Sequence, residues 1–198
     1  MAFDETLTLA HLTDFLADDY PRLRLYMGET AFNTMTRHCL AASEAPKSRM
    51  LSLRLPDFLD LTKPFSRSPA LSDLARLERA FQAAFNAPIA PIAMQAPLHG
   101  FQITLHPSVQ RLQLRTNATS IWAALTAGEL PPSPARLDEP QELLVWRQGV
   151  ASRFRMLGRE EAAALDAAAR GEASGIDQST DNFLRGWLEA EIVSAVMS

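Results

Sequence analysis

The chain has 198 residues, 47% of them apolar and 21% charged, with eight Gly and 13 Pro. That composition excludes disordered, collagenous and heptad-fibre chains and leaves room for one large domain or two small ones. A formal net charge of −4 supplies no global positive field toward nucleic acid or an anionic membrane, so any such contact must be a local patch.

In chain order, Leu9, Leu12, Phe15 and Leu16 recur at helical spacing, and Pro21 then opens a short helix carrying Leu23, Tyr26 and Met27 that stops at Gly28. A third helix, about Thr30 to Ala42, sets Phe32, Met35, Cys39 and Leu40 on one side. After a loop from Ser43 to Ser48 the pattern turns irregular. Leu51, Leu53 and Leu55 alternate before Pro56-Asp57-Phe58-Leu59, which reads as a short helical turn. Ser68-Pro69 is a start signal, Ser as N-cap and Pro at the first helical position, for a helix to about Asn86.

The longest nearly uncharged apolar stretch, Ala83 to Leu98, carries Pro88, Pro91 and Pro97, so it reads as a linker and not as a membrane span. Beyond it the period changes. Phe101, Ile103 and Leu105, then Leu112 and Leu114, alternate with polar residues on either side of a break at His106-Pro107, which predicts two strands. A helix from about Ser120 to Ala127 ends at Gly128, with Asn117 expected to cap it, and Pro131, Pro132 and Pro134 mark a loop. Glu142 to Arg147 and Val150 to Leu157 flank Gln148-Gly149 as a hairpin, with Phe154 and Met156 facing one way and Arg153 and Arg155 the other. An Ala-rich helix follows, about Arg159 to Arg170 with Gly171 as its stop. The last helix, from about Gln178, carries Leu184, Trp187, Leu188, Ile192 and Val196 on one stripe. The expected class is α+β, a helical domain over 1–90 and a small α+β domain over 98–198, joined near Pro88 to Pro97.

Chemistry is sparse. His11, His38, His99 and His106 lack metal-ligand spacing, and Cys39 falls on an apolar stripe, where a thiol packs as a small hydrophobe. Gly-rich phosphate loops, nucleophile elbows and zinc-protease elements are all missing. No catalytic centre, metal or cofactor is therefore expected. Glu78 is the odd carboxylate, inside the stripe of Leu71, Leu74, Phe81 and Phe85. Two readings are open there: a general base of raised pKa, or an acceptor for a neighbouring loop's backbone or an arginine.

Two basic patches stand out. Lys47, Arg49 and Arg54 occur without an acid between Pro46 and Pro56, and with Arg76 and Arg79 they could meet Arg22 and Arg24 to form a phosphate-binding face, or be solvated surface charge. Leu143 to Arg159 holds Arg147, Arg153, Arg155 and Arg159 and no acid. That hairpin reads as a basic wing for DNA, as an edge to which an acidic extended peptide adds, or as an edge protected by charge. Trp146 beside it is a candidate apolar anchor. Asp4 and Glu5, where a targeting peptide would be basic, and the single Cys39 lead to a cytoplasmic expectation with no membrane partner.

The run Asp19-Tyr20-Pro21-Arg22-Leu23-Arg24-Leu25-Tyr26-Met27-Gly28-Glu29-Thr30-Ala31-Phe32, then Leu74-Ala75-Arg76-Leu77-Glu78, Leu105-His106-Pro107, Ile121-Trp122 and Leu144-Val145-Trp146-Arg147-Gln148-Gly149 before Leu157 resembles the HvfC/BufC family. The N-terminal part of that family is catalogued as a DNA-binding domain. The resemblance spans roughly Ala10 to Gly171. It departs from the family pattern at Phe3 to Leu16, where an opening Arg-Asn-Asn signature is lacking, and at Arg79-Ala80, where an aromatic residue is common. It implies a helical domain and a smaller α+β domain without a catalytic centre. It also implies a partner, a multinuclear iron-dependent oxidative enzyme that modifies a ribosomally made precursor peptide. On this reading Trp146, Arg147, Arg153 and Arg155 contact the peptide or enzyme. The alternative is a DNA-binding regulator using Arg22, Arg24, Lys47, Arg49 and Arg54.

Overall fold

The computed structural model describes residues 9–42, 48–89, 101–170 and 178–197. Five helices come first: α1 (Leu9–Asp19), α2 (Pro21–Met27), α3 (Glu29–Ala41), α4 (Ser48–Leu61) and, after a 3-10 turn at Phe65–Arg67, α5 (Pro69–Asn86). The rest mixes strands and helices: β1 (Phe101–Leu105), β2 (Gln110–Thr116), α6 (Ala118–Ala127), β3 (Arg136–Gln148), β4 (Ala151–Met156), α7 (Arg159–Ala169), α8 (Gln178–Glu189) and β5 (Val193–Met197). The class is α+β, with β2-β3-β4 forming an antiparallel three-stranded sheet and β1 pairing antiparallel with β5. No described helix is long and apolar enough to cross a membrane.

By contacts the chain divides into two compact units, Met1–Arg79 with Leu114–Pro140, and Ala80–Gln113 with Gln141–Ser198. The first is built on a helical core. Leu12 and Leu16 of α1, Leu23 of α2, Phe32 and Met35 of α3, Leu55 of α4 and Leu74 of α5 are all fully buried, one helical face from each element. Ile121 of α6 belongs to the same core, with Trp122 and Leu125 packed at its margin.

Where the alternating leucines suggest an irregular piece, α4 is continuous and holds Pro56 in its interior. Leu51, Leu55 and Leu59, spaced by four, are its buried stripe. A proline lacks the N–H that would bond the carbonyl four residues back, here that of Ser52. Tyr20 supplies the missing donor: its buried hydroxyl gives a hydrogen bond of 2.5 Å to the Ser52 carbonyl oxygen. The helix therefore survives a residue that ordinarily breaks one.

The second unit has its own core. Leu144, Trp146 and Leu157 pack with Leu165 of α7 and with Leu184, Trp187, Ile192 and Val193. The expected final helix reaching Val196 is corrected here: α8 stops at Glu189 and Val193–Met197 is a strand. The stop is a Schellman arrangement, with Ile192 N–H bonded to the Trp187 carbonyl and Glu191 N–H to that of Leu188. Glu191 occupies the left-handed position, φ 60°.

Smaller differences have equally local causes. Phe85, expected on the buried stripe of α5, is exposed. Asn117 stands at the N-cap of α6 but its side chain makes no cap bond. It holds the proline loop instead, Nδ2 donating to Ser133 O at 3.0 Å and Oδ1 accepting from Ala135 N–H at 2.9 Å. The hairpin turn is Gly149-Val150, one residue later than the spacing predicts, with Gly149 at φ 58°. Of the expected linker, Ala83 to Asn86 is the last turn of α5, and its remainder from 90 onward, like His99 and Gly171, lies outside the described residues.

Candidate functional site

In the first unit the basic residues are mostly engaged. Arg24 pairs with Glu29 at 2.9 Å, and the Arg22 guanidinium lies 5.8 Å from the centre of the Trp122 ring. Arg79 donates to the Leu53 carbonyl at 2.6 Å. Arg76 is bound by Asp60 and by Asp73, the latter at 3.2 Å. Arg49 and Arg54 stand exposed on α4 without a partner among the described residues, and Lys47 lies outside them. Of that patch the described residues retain two free cations rather than a continuous phosphate-binding face.

Glu78 caps a helix from outside. Its two carboxylate oxygens accept the N–H groups of Arg22 at 2.8 Å and Leu23 at 2.9 Å, orphan donors of the first turn of α2. Burial pushes its pKa up to about 7, while the two N–H bonds pull the other way. With both oxygens occupied by backbone, the geometry matches an acceptor for a neighbouring segment's main chain.

A second carboxylate does similar work and is not conspicuous in the sequence. Asp73 is fully buried and accepts from Arg115 N–H at 2.7 Å and Thr116 Oγ1 at 2.9 Å. Arg115 also reaches Asp60 at 2.7 Å. Arg76 and its hydrogen bonds hold the Asp60 carboxyl below its ordinary range against burial, which pushes the other way. The available signal was position: Asp73 lies three residues after buried Ala70 and four before buried Leu77.

The hairpin in the second unit carries the other expected residues. Trp146 is buried, its Nε1 has no hydrogen-bond partner among the described residues, and the Arg155 guanidinium sits 5.9 Å from its ring centre. It is a core residue rather than a free anchor. Arg155 is spent on Glu161, which also accepts from Trp187 Nε1 at 2.7 Å. Arg153 alone of the three arginines is exposed and without a partner among the described residues.

Arg147 is held by main chain. Its Nη1 donates to the carbonyls of Phe85 and Ala87, both at 2.8 Å, and its Nη2 to that of Pro88 at 3.2 Å. It lines a pocket of about 400 Å³ with Phe85, Ile89, His106, Gly149, Val150 and Glu191. His106 Nδ1 accepts the Ser108 N–H at 3.1 Å and lies 2.7 Å from the Ser108 hydroxyl, which in turn accepts the Arg147 N–H at 3.1 Å. The contact resembles a nucleophile–base pair, but Ser108 is fully buried, so no substrate reaches its oxygen. Cys39 is likewise buried, and burial pushes its thiol up to about 11. Among the described residues no group of His, Cys, Asp or Glu has the arrangement of a metal site.

No protein-family model and no curated protein matches this chain.

Proposed function

We propose that the chain is a non-catalytic adaptor whose second unit holds an extended precursor peptide for a partner enzyme, of the multinuclear iron-dependent oxidative class that the sequence resemblance implies. One observation carries the reading: β4 is the terminal strand of its sheet. The register Gln148↔Ala151 through Leu143↔Met156, with Leu157 N–H bonded to Glu142 O at 2.8 Å, fixes the alternation of ladder bonds. It turns the N–H and C=O groups of Ser152, Phe154 and Met156 outward, along an edge with no neighbouring strand among the described residues. Arg153 stands exposed on that edge and favours an acidic peptide.

The test is an affinity capture of the tagged chain from its host lysate, half of it nuclease-treated. Stoichiometric recovery of a nuclease-insensitive iron enzyme supports the adaptor. In parallel, Met156→Pro removes one outward N–H, and it should abolish binding of a long acidic peptide from the recovered precursor. A second reading, DNA binding, is favoured by Arg49 and Arg54, exposed and unpaired among the described residues. It predicts recovered DNA without a protein partner, and affinity falling by about 0.9 log unit per log unit of salt for each phosphate neutralised.

A further inference from the structure

We infer that the pocket around Arg147 receives the C-terminal carboxylate of a peptide whose last side chain is apolar. This deepens the peptide-binding reading of the second unit and rests on it. A guanidinium has five N–H donors. Three of those of Arg147 go to the carbonyls of Phe85, Ala87 and Pro88. Among the described residues nothing takes Nε–H or the second Nη2–H, and no carboxylate pairs with the group. The same three bonds lock the side chain in place before any ligand arrives, which reduces the ordering cost of binding. An immobilised cation with two free donors is the natural partner of a carboxylate.

The rest of the lining fits the remainder of a terminal residue. His106 lines the same pocket; its Nδ1 accepts the Ser108 N–H, which assigns the ring proton to Nε2 and leaves that atom a donor. Burial and the neighbouring Arg147 lower the pKa of the ring, so it serves as a neutral donor. Phe85, Ile89 and Val150 are 58%, 90% and 91% exposed and line the same pocket, an apolar seat for the last side chain.

Glu191 supplies the third contact. Its Oε2 accepts Gly149 N–H at 3.0 Å, and Oε1, which no described residue occupies, can take the backbone N–H of the ligand's last residue. The acid stands in a left-handed conformation, φ 60°, at a helix stop where glycine is the usual residue. It also disfavours a phosphate dianion in the same pocket, which argues for the singly charged carboxylate.

The experiment titrates the full-length chain, ¹⁵N-labelled, with N-acetyl-Gly-Ala-Leu bearing a free carboxylate, with its C-terminal amide, and with N-acetyl-Glu-Ala-Leu amide. The Arg147 Nε–H and Gly149 N–H resonances are followed. The free acid is expected to saturate and both amides to bind at least about tenfold more weakly. Arg147→Lys keeps the charge and loses the fork, and it should weaken the acid by a similar factor. Val150→Asp, at an exposed turn, should do so without a change in the circular dichroism spectrum. Equal binding of acid and amide overturns the proposal, as does equal binding of the internal-Glu peptide. So does absence of binding by all three to the folded protein. A tripeptide is too short to form a strand along Ala151–Met156, so its failure leaves strand addition standing; an unchanged long-peptide affinity in Met156→Pro defeats strand addition alone.

Discussion

Replacing Tyr20 by Phe removes one oxygen and no carbon, so it leaves the packing of a fully buried ring intact and isolates a single hydrogen bond. The bond lost is the 2.5 Å contact to the Ser52 carbonyl. Because Pro56 has no N–H, that carbonyl has no helical partner to fall back on. Its orphaning should cost about 1–3 kcal/mol. In a chain of this length each kcal/mol lowers Tm by roughly 2–4 °C, so a fall of about 4–8 °C is expected for a mid-range loss. Burial pushes the phenol up to about 12, so the donor stays protonated at every pH used for the measurement. The decisive comparison is a cycle with Pro56→Ala, which restores an N–H at the position that faces Ser52. In that background Tyr20→Phe should cost less by about 1 kcal/mol or more, read from urea unfolding followed by circular dichroism. Equal costs of Tyr20→Phe in the two backgrounds, to within about 0.3 kcal/mol, would refute the claim that the hydroxyl replaces the proline's missing donor.

Three further outcomes follow from the same geometry. Glu78 has a folded pKa raised from 4.5 to about 7, so between those values the folded state binds more protons than the unfolded one, and its contribution to stability falls as pH rises through that window. The change is at most about 3 kcal/mol, at 1.36 kcal/mol per pH unit, and the stability difference between wild type and Glu78→Gln, measured by urea unfolding at about pH 5 and pH 8, should shrink with it. Glu161→Ala leaves Arg155 and Trp187 Nε1 without their shared acceptor. It should cost about 2–4 kcal/mol and shift the emission of Trp187, whereas a loss under about 0.5 kcal/mol would mean that water replaces the carboxylate freely. Glu191→Gly and Glu191→Ala both give up the bond from Gly149 N–H, but only the glycine relieves the left-handed side chain, so it should be the more stable of the two by about 0.5–1 kcal/mol while both weaken the tripeptide acid; equal stabilities would count against strain at that position.

The elements that periodicity and caps specify were legible from the residues. Ser68-Pro69 launches α5 and Asn86 ends it, the alternation at Phe101 to Leu105 is β1, and the hairpin faces divide as its odd and even residues predict. Elements rescued or redirected by distant partners were not. The continuity of α4 depends on a tyrosine far upstream of Pro56, and the strand at Val193–Met197 depends on β1 lying beside it. The same distinction runs through the site. Glu78 was conspicuous because a charge interrupts an apolar stripe. The three carbonyls on Arg147 were invisible because main-chain acceptors carry no residue type, and Trp146 looked like an anchor because aromatic side chains serve equally in cores and interfaces.

The first unit is assembled from two separated stretches of chain, and α6 contributes Ile121 to a core otherwise formed before residue 80. During synthesis the helices up to α5 therefore emerge with one wall of their interior uncovered. At about 5–20 residues per second, the ribosome takes several seconds to deliver the segment that closes it. Over that interval the apolar surface awaiting α6 is open to other chains, so a polypeptide cut short after α5 would preserve permanently a state the whole protein passes through only while it is made.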